Sequence, residues 1–240
     1  MRKEPFSISS IVHIYNRGNR KQNIVHDDGD RRHFLQMLFY FNDEYSPINP
    51  FRTIRELLKS DFSKLVWPKE WPKRNPLVNI LAFCLKDNHF HLIIEEIKDG
   101  GTTKFMRKFG TGITNYYNTK YEETGRLFQG AYKAKVVDNE NYLKYLSVYV
   151  QIKNVLEDIY HRNMVLARNN FSEAFNRILE HQYSSLGTYW GEQNLENSKI
   201  IGSNKILKDI FSGSDDYKNF AKDCIERLVF DEKKVELNSL

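Results

Sequence analysis

The chain is poor in cysteine: Cys84 and Cys224 are the only two among 240 residues. Both sit in apolar stretches far apart in sequence. That fits small buried hydrophobes in a reducing cytosol better than a disulfide or a zinc pair. There is no internal repeat and no low-complexity tract. No stretch approaches the ~18–20 consecutive apolar residues needed to cross a bilayer, so no membrane partner is expected. The opening Met1-Arg2-Lys3-Glu4-Pro5 has no apolar core of the kind a signal peptide carries. What the chain does have is 40% apolar residues, 14% aromatics and an ordinary 28% of charged groups. This is ample for one large packed domain, or for one domain with a smaller appendage.

Net charge is only +5, from 36 basic and 31 acidic side chains, but the two signs are unevenly spread. Residues 171–240 hold 9 of the basic and 12 of the acidic groups, which leaves the first 170 residues clearly basic. Residues 101–137 concentrate Lys104, Arg107, Lys108, Lys120, Arg126, Lys133 and Lys135 against Glu122 and Glu123. Such an excess suits a polyanion whose phosphates are neutralised by Lys and Arg, and it equally describes a solvated face.

Ser7 to Tyr15 is β-branched and aromatic and ends in Asn16-Arg17-Gly18-Asn19-Arg20, a strand followed by a basic turn. Asp27-Asp28-Gly29-Asp30 supplies cap chemistry for an amphipathic helix over Arg31 to Tyr40. A short helix is expected over Ile54 to Leu65 and a surface loop from Val66 to Pro76. Leu77 to Leu85 and His89 to Glu95 read as an antiparallel hairpin closed by Lys86-Asp87-Asn88. After Asp99-Gly100-Gly101 a helix carries Phe105, Phe109, Ile113 and Tyr116/Tyr117 on one side, with Lys104, Arg107, Lys108 and Thr111 on another. Gly110 and Gly112 weaken its interior, either to let something approach closely or because they are tolerated.

Arg126 to Val137 predicts a strand. Asp138-Asn139-Glu140 caps a helix from about Asn141 to Val155. Two more helices are expected around Lys205 to Phe211 and Tyr217 to Phe230. The order β-α-β-β-α-β-α implies an α+β fold: a ferredoxin-like antiparallel sheet with packed helices, plus a C-terminal helical extension. The expected division is a catalytic domain over 1–160 and the extension over 161–240. In such a fold, the helix after the last strand can bring a side chain from 141–155 beside the central hairpin.

Within that hairpin lies the most informative triplet, His89-Phe90-His91. Residues i and i+2 of a strand share a face, so the two imidazoles project together while Phe90 points into the core. A neutral imidazole pair can grip one divalent ion, although a lone His-x-His on a strand is also a common accident.

Four blocks in this order carry a resemblance: HIYNRGNRK near the start, NHFHLII, GRLFQGAYKAKVV, and the following DNENYLKYLSVYVQIKNV. Together they resemble the single-tyrosine His-hydrophobic-His transposases of small bacterial insertion sequences, including the REP-associated tyrosine transposases. HQYSSLGTYWG and ILKDIF…YKNF extend the similarity to about residues 7–225. The resemblance implies that His89 and His91 bind a divalent metal, magnesium or manganese. It also implies that Tyr149 attacks a DNA phosphodiester, keeps the 5′ phosphate and frees a 3′ hydroxyl. Tyr142, Tyr145 and Tyr149 equally describe an aromatic stripe, and Tyr145 is the fallback nucleophile.

The partner implied is single-stranded or hairpin DNA, met by Arg17, Arg20 and Lys21, by Lys104, Arg107 and Lys108, and by Lys133 and Lys135. A homodimer and a cytoplasmic, nucleoid-associated location are the corresponding expectations. The chain departs from the family pattern twice. Lys153 stands one turn after the tyrosine, where an Asn or Gln commonly supplies a third metal ligand. Protonated lysine has no lone pair to offer. The ligand then comes from elsewhere (Asn154, Gln151 or Asp87), or Lys153 replaces part of the metal charge, or cleavage is impaired. Ala131 follows the LFQG block where Arg is frequent. Two other functions fit the residues: a non-cleaving hairpin-DNA-binding protein and an RNA-processing phosphoesterase.

Overall fold

Four strands form one sheet: β1 (Ile11–Arg17), β2 (Val78–Leu85), β3 (His89–Glu96) and β4 (Lys133–Val137), with β2 and β3 buried nearly throughout. The computed structural model describes residues 6–47, 51–52, 56, 64–191, 195–202 and 205–237. Strand order is β2-β3-β1-β4 with every neighbouring pair antiparallel, the expected ferredoxin-like α+β arrangement. The register sets Tyr15 opposite His91 and Arg17 opposite His89 on β3, and on the other side Tyr15 opposite Lys133 and His13 opposite Lys135 on β4. Directly paired residues share a sheet face. One face therefore carries His13, Tyr15, Arg17, His89, His91, Lys133 and Lys135.

The opposite face is apolar and is covered by α1 (Asp28–Tyr40) and α2 (Gly101–Tyr121). Phe34, Phe90 and Phe109 meet there with ring centroids 5.0–5.5 Å apart. Asp27 caps α1 by accepting from the Asp30 amide, and Asp30 returns the bond in a capping box. The polar face is covered by a helical run in three parts: α3 (Glu140–Val148), a π-helical segment Tyr149–Lys153, and α4 (Asn154–Ile159). Asn139 caps α3 through the Tyr142 amide.

Three expectations are corrected in detail. β1 begins at Ile11, because Ser9 has φ +69° and Ser10 donates back to Ser7 in a turn. The strand expected from Arg126 shortens to Lys133–Val137, since residues 127–129 bond instead to the end of β1 and the turn after it, Asn19 to Leu127 and Gln129 to Arg17. The single helix expected over 141–155 is widened by the π segment. The expected helix over Ile54 to Leu65 falls mostly outside the described residues.

Beyond residue 160 come α5 (Met164–Asn169), α6 (Phe171–Leu179), α7 (Leu186–Trp190), α8 (Leu195–Ser198), α9 (Lys205–Asp209) and α10 (Ser214–Leu237). The last two correspond to the expected pair. Residues 183–185 and Gly202 line the outer edge of β2: Leu85 donates to Tyr183 O, Ser185 to Phe83 O and Gly202 to Ile80 O. Both cysteines are buried and free. No helix among the described residues is long and apolar enough to cross a membrane.

Candidate active site

β3 presents His89 and His91 side by side, ring centroids 5.2 Å apart and nearly perpendicular, while Phe90 is buried beneath. Each imidazole is oriented through its Nδ1. His89 Nδ1 meets Asn88 Oδ1 at 2.6 Å, and His91 Nδ1 meets His13 Nε2 at 3.0 Å. Both Nε2 atoms are left without a hydrogen bond among the described residues. Outer partners of this kind fix the tautomer and aim of a ligating ring. His13 is the residue that the sequence reading missed. Its signal was available: period-two alternation puts it with Tyr15 and Arg17 on one face of β1.

The surroundings disfavour positive charge on these rings. Burial, then the Lys86 and Arg17 charges, pushes His89 down to about 4. His13 falls to about 4 through burial and Lys135, and burial holds His91 well below the usual histidine range. All three are neutral at physiological pH, which leaves lone pairs for a cation.

Tyr149 opens the π segment. Its carbonyl accepts both the backbone amide and the side-chain amide of Asn154, and the resulting i to i+5 bond widens the turn. Such single-turn insertions are frequent at functional sites. Val150, Gln151 and Ile152 are buried, while Tyr149 and Lys153 remain half-buried. The Tyr149 ring stands edge-on to His91 at 5.4 Å and to His13 at 6.3 Å. Burial, followed by the Glu157 charge, raises its hydroxyl above the usual phenol value. Tyr145, one turn earlier, faces away toward Phe220 and Cys224 on α10. Of the helical tyrosines Tyr142, Tyr145 and Tyr149, Tyr149 is the one that lines the cleft of about 820 Å³ with His89, His91, Arg17 and Lys133, a cleft bordered also by the strand and loop residues Tyr15 and Tyr132.

Two rings 5.2 Å apart can share one ion, because an imidazole centroid sits only ~3 Å from a metal at the usual ~2.1 Å nitrogen distance. Among the described residues no group of three His, Cys, Asp or Glu is arranged to hold a metal. The three alternatives for a third ligand are engaged elsewhere. Gln151 bonds Ser185 and Tyr217, Asn154 bonds the Tyr149 carbonyl, and Asp87 pairs with Arg31. Lys153 pairs with Glu157, which also holds the buried Lys86 at 3.1 Å. The donor set fits a two-imidazole half-site for magnesium or manganese, ions that commonly complete their shell with water and substrate phosphate.

The expected DNA contacts divide by location. Arg17 lines the cleft, with a buried Nε that has no partner among the described residues. Arg20 and Lys21 lie on an exposed turn tied to the hairpin by Asn88. Lys133 and Lys135 are exposed on β4, and Lys135 sits 4.4 Å over the Tyr142 ring. Lys104, Arg107 and Lys108 belong to α2, in the layer behind the sheet. Lys108 is committed to the Asp43 and Tyr45 carbonyls, and burial lowers it to about 8.

Residues 69–153 match the family described as "Transposase IS200 like". No curated protein matches the chain. A solved structure described as "Structure of the REP associates tyrosine transposase bound to a REP hairpin" is similar at 11% identity and a TM-score of 0.40, over 85% of this chain and 96% of that one. The first block of the resemblance, in β1 and its turn, lies outside the family match, whereas the hairpin, the LFQG block and the tyrosine lie inside it. The stretch similar to the IS200-like transposase family, residues 69–153, is about a third of the chain and contains His89, His91 and Tyr149.

Proposed function

We propose that the protein cleaves and rejoins single-stranded DNA at hairpin-marked ends through a covalent phosphotyrosine. The observation that carries this reading is the meeting of Tyr149 with His91, 5.4 Å apart, in a cleft that also holds His89 and Arg17. Tyr149 Oη attacks the phosphorus, the bond from phosphorus to the 3′ oxygen breaks, and the 5′ phosphate stays on the tyrosine. The proton lost by the phenol is balanced by the one taken up by the departing 3′ oxygen. Attack by a 3′ hydroxyl reverses the exchange and rejoins strands without a nucleotide cofactor.

His89 and His91 would hold a magnesium or manganese ion, which polarises the phosphate and steadies the charge that develops on it. Arg17 and Lys133 orient the strand through its phosphates. Lys153, paired with Glu157 and 5.3 Å over the Tyr149 ring, adds positive charge beside the phosphate where another ligand is missing.

The test is a hairpin oligonucleotide with a labelled single-stranded flank, incubated with protein and manganese. A denaturation-resistant adduct is expected from the native chain and from Tyr145→Phe, and none from Tyr149→Phe. An adduct that survives Tyr149→Phe defeats the assignment. Salt-sensitive hairpin binding with no adduct in any divalent metal favours the non-cleaving reading that Lys153 motivates.

A further inference from the structure

A second cleft, of about 580 Å³, opens between α2 and the 125–132 loop. Asn16, Gly130, Ala131 and Tyr132 border both this cleft and the histidine–tyrosine cleft. The two are therefore parts of one groove that turns around the end of β1. The loop forming its wall is held in place. Asn16 Nδ2 donates to Gly130 O at 3.1 Å, Asn19 N to Leu127 O at 2.7 Å, and Gln129 N to Arg17 O at 3.0 Å.

Its lining has three qualities. The interior is apolar and aromatic, with Met106, Phe128 and Tyr132. The rim carries Arg107 and Arg126, exposed guanidinium groups with no ion pair among the described residues. Glycine stands where side chains would fill the space: a Cβ added at Gly110, Gly125 or Gly130 meets nothing within 4 Å. Gly110 is the informative one. It lies inside α2, where glycine costs about 1 kcal/mol against alanine and where no close packing calls for it. The volume it leaves belongs to the cleft.

We propose that this cleft holds an unpaired nucleobase of the strand that passes through the active site, stacked on Tyr132 and Phe128, with Arg107 and Arg126 on the flanking phosphates. The proposal rests on the single-stranded DNA reading of the first cleft. A flat aromatic ring between apolar walls, tethered to an anionic backbone, matches this lining, and stacking accepts any base. Asn115, exposed on the α2 wall, reads the base edge.

The experiment measures metal-free binding by fluorescence anisotropy, using Tyr149→Phe protein so that no strand is cut. Three probes are used: a blunt hairpin, the same hairpin with a six-nucleotide single-stranded extension on either end, and extended hairpins with one abasic site at each position in turn. The extension should tighten binding roughly 5- to 160-fold, the range of one stacked base. One abasic position should cancel that gain. Gly110→Leu, whose Cβ starts in open space and whose side chain extends into the cleft, should erase both the gain and the abasic effect while keeping blunt-hairpin affinity and leaving Tm no lower than the parent's. Arg107→Ala should reduce the gain and its salt dependence. If Gly110→Leu and Arg107→Ala leave the gain intact, the cleft is not the base site. If the parent binds no DNA probe at all, the DNA reading itself falls.

Discussion

Two glycines two residues apart in α2, and so on opposite sides of the helix, look alike in the sequence and differ entirely in the fold. A Cβ on Gly112 would come within 2.1 Å of the Phe41 ring, whereas one on Gly110 would meet open space. Gly112→Ala should therefore lower stability by about 1–2 kcal/mol, overpacking outweighing the gain in helix propensity. Gly110→Ala should raise it by up to ~1 kcal/mol. Denaturant titration of both variants checks this, and equal shifts would remove the distinction. Lys153 invites a second prediction. Its charge bears on both His89 and His91, so it opposes a cation between them. Lys153→Gln should tighten manganese binding to the DNA-free protein by roughly 10-fold, an electrostatic change of ~1.4 kcal/mol. Manganese electron paramagnetic resonance reads this directly; unchanged affinity would count against the half-site. The His-x-His pair was legible from strand periodicity alone. His13 was not, because its meeting with His91 depends on a pairing between strands 78 residues apart.

At the level of elements, strands and long helices follow their patterns because alternation and amphipathic spacing are local signals. The π segment does not, since one extra residue in a turn leaves the apolar spacing nearly unchanged. Helices α5, α7 and α8, of four to six residues, are too short to show a period, whereas α6 carries one in Phe171, Ala174, Phe175 and Ile178 that the sequence reading passed over. The seam between α1 and α2 carries a prediction of its own. Asp30 is buried and accepts from Lys120 at 2.5 Å, Tyr121 at 2.6 Å, Tyr116 at 2.9 Å and the His26 amide at 2.7 Å. Burial alone would raise its carboxyl, but these four donors outweigh it and hold the group well below the usual range. The folded state thus gains stability above the unfolded value of ~3.9 and loses it as pH falls through the depressed one. Asp30→Asn should cost about 2–3 kcal/mol at pH 7. The gap from the parent should shrink steadily below about pH 4. Thermal melts from pH 7 to pH 2.5 test the sign, and a gap that widens in acid would refute it.

The molecule as a whole solves an exposed-edge problem with its acidic third. In the order β2-β3-β1-β4 the outer side of β2 would present unpaired amides and carbonyls, a template for association with other chains. Residues 183–185 and Gly202 occupy that side. Ser185 is the centre of the contact: its Oγ accepts from Phe83 N at 2.9 Å and lies 2.8 Å from Gln151 Oε1, and Gln151 reaches Tyr217 of α10. One buried hydroxyl thereby joins the sheet edge, the segment bearing Tyr149 and the last helix. Composition marks a change near residue 170, but it gives no sign of these bonds, because backbone groups meeting across 100 residues leave no local pattern. Ser185→Ala should cost about 1–3 kcal/mol, the loss expected when a buried amide and a buried side-chain carbonyl are left unpaired. A chain ending at residue 160 should go further, exposing β2 and self-associating on gel filtration as concentration rises. If that shortened chain stays monomeric with the melting temperature of the full chain, residues 183–185 and Gly202 do not protect the edge, and the alignment of Tyr149 with His91 owes nothing to the C-terminal third.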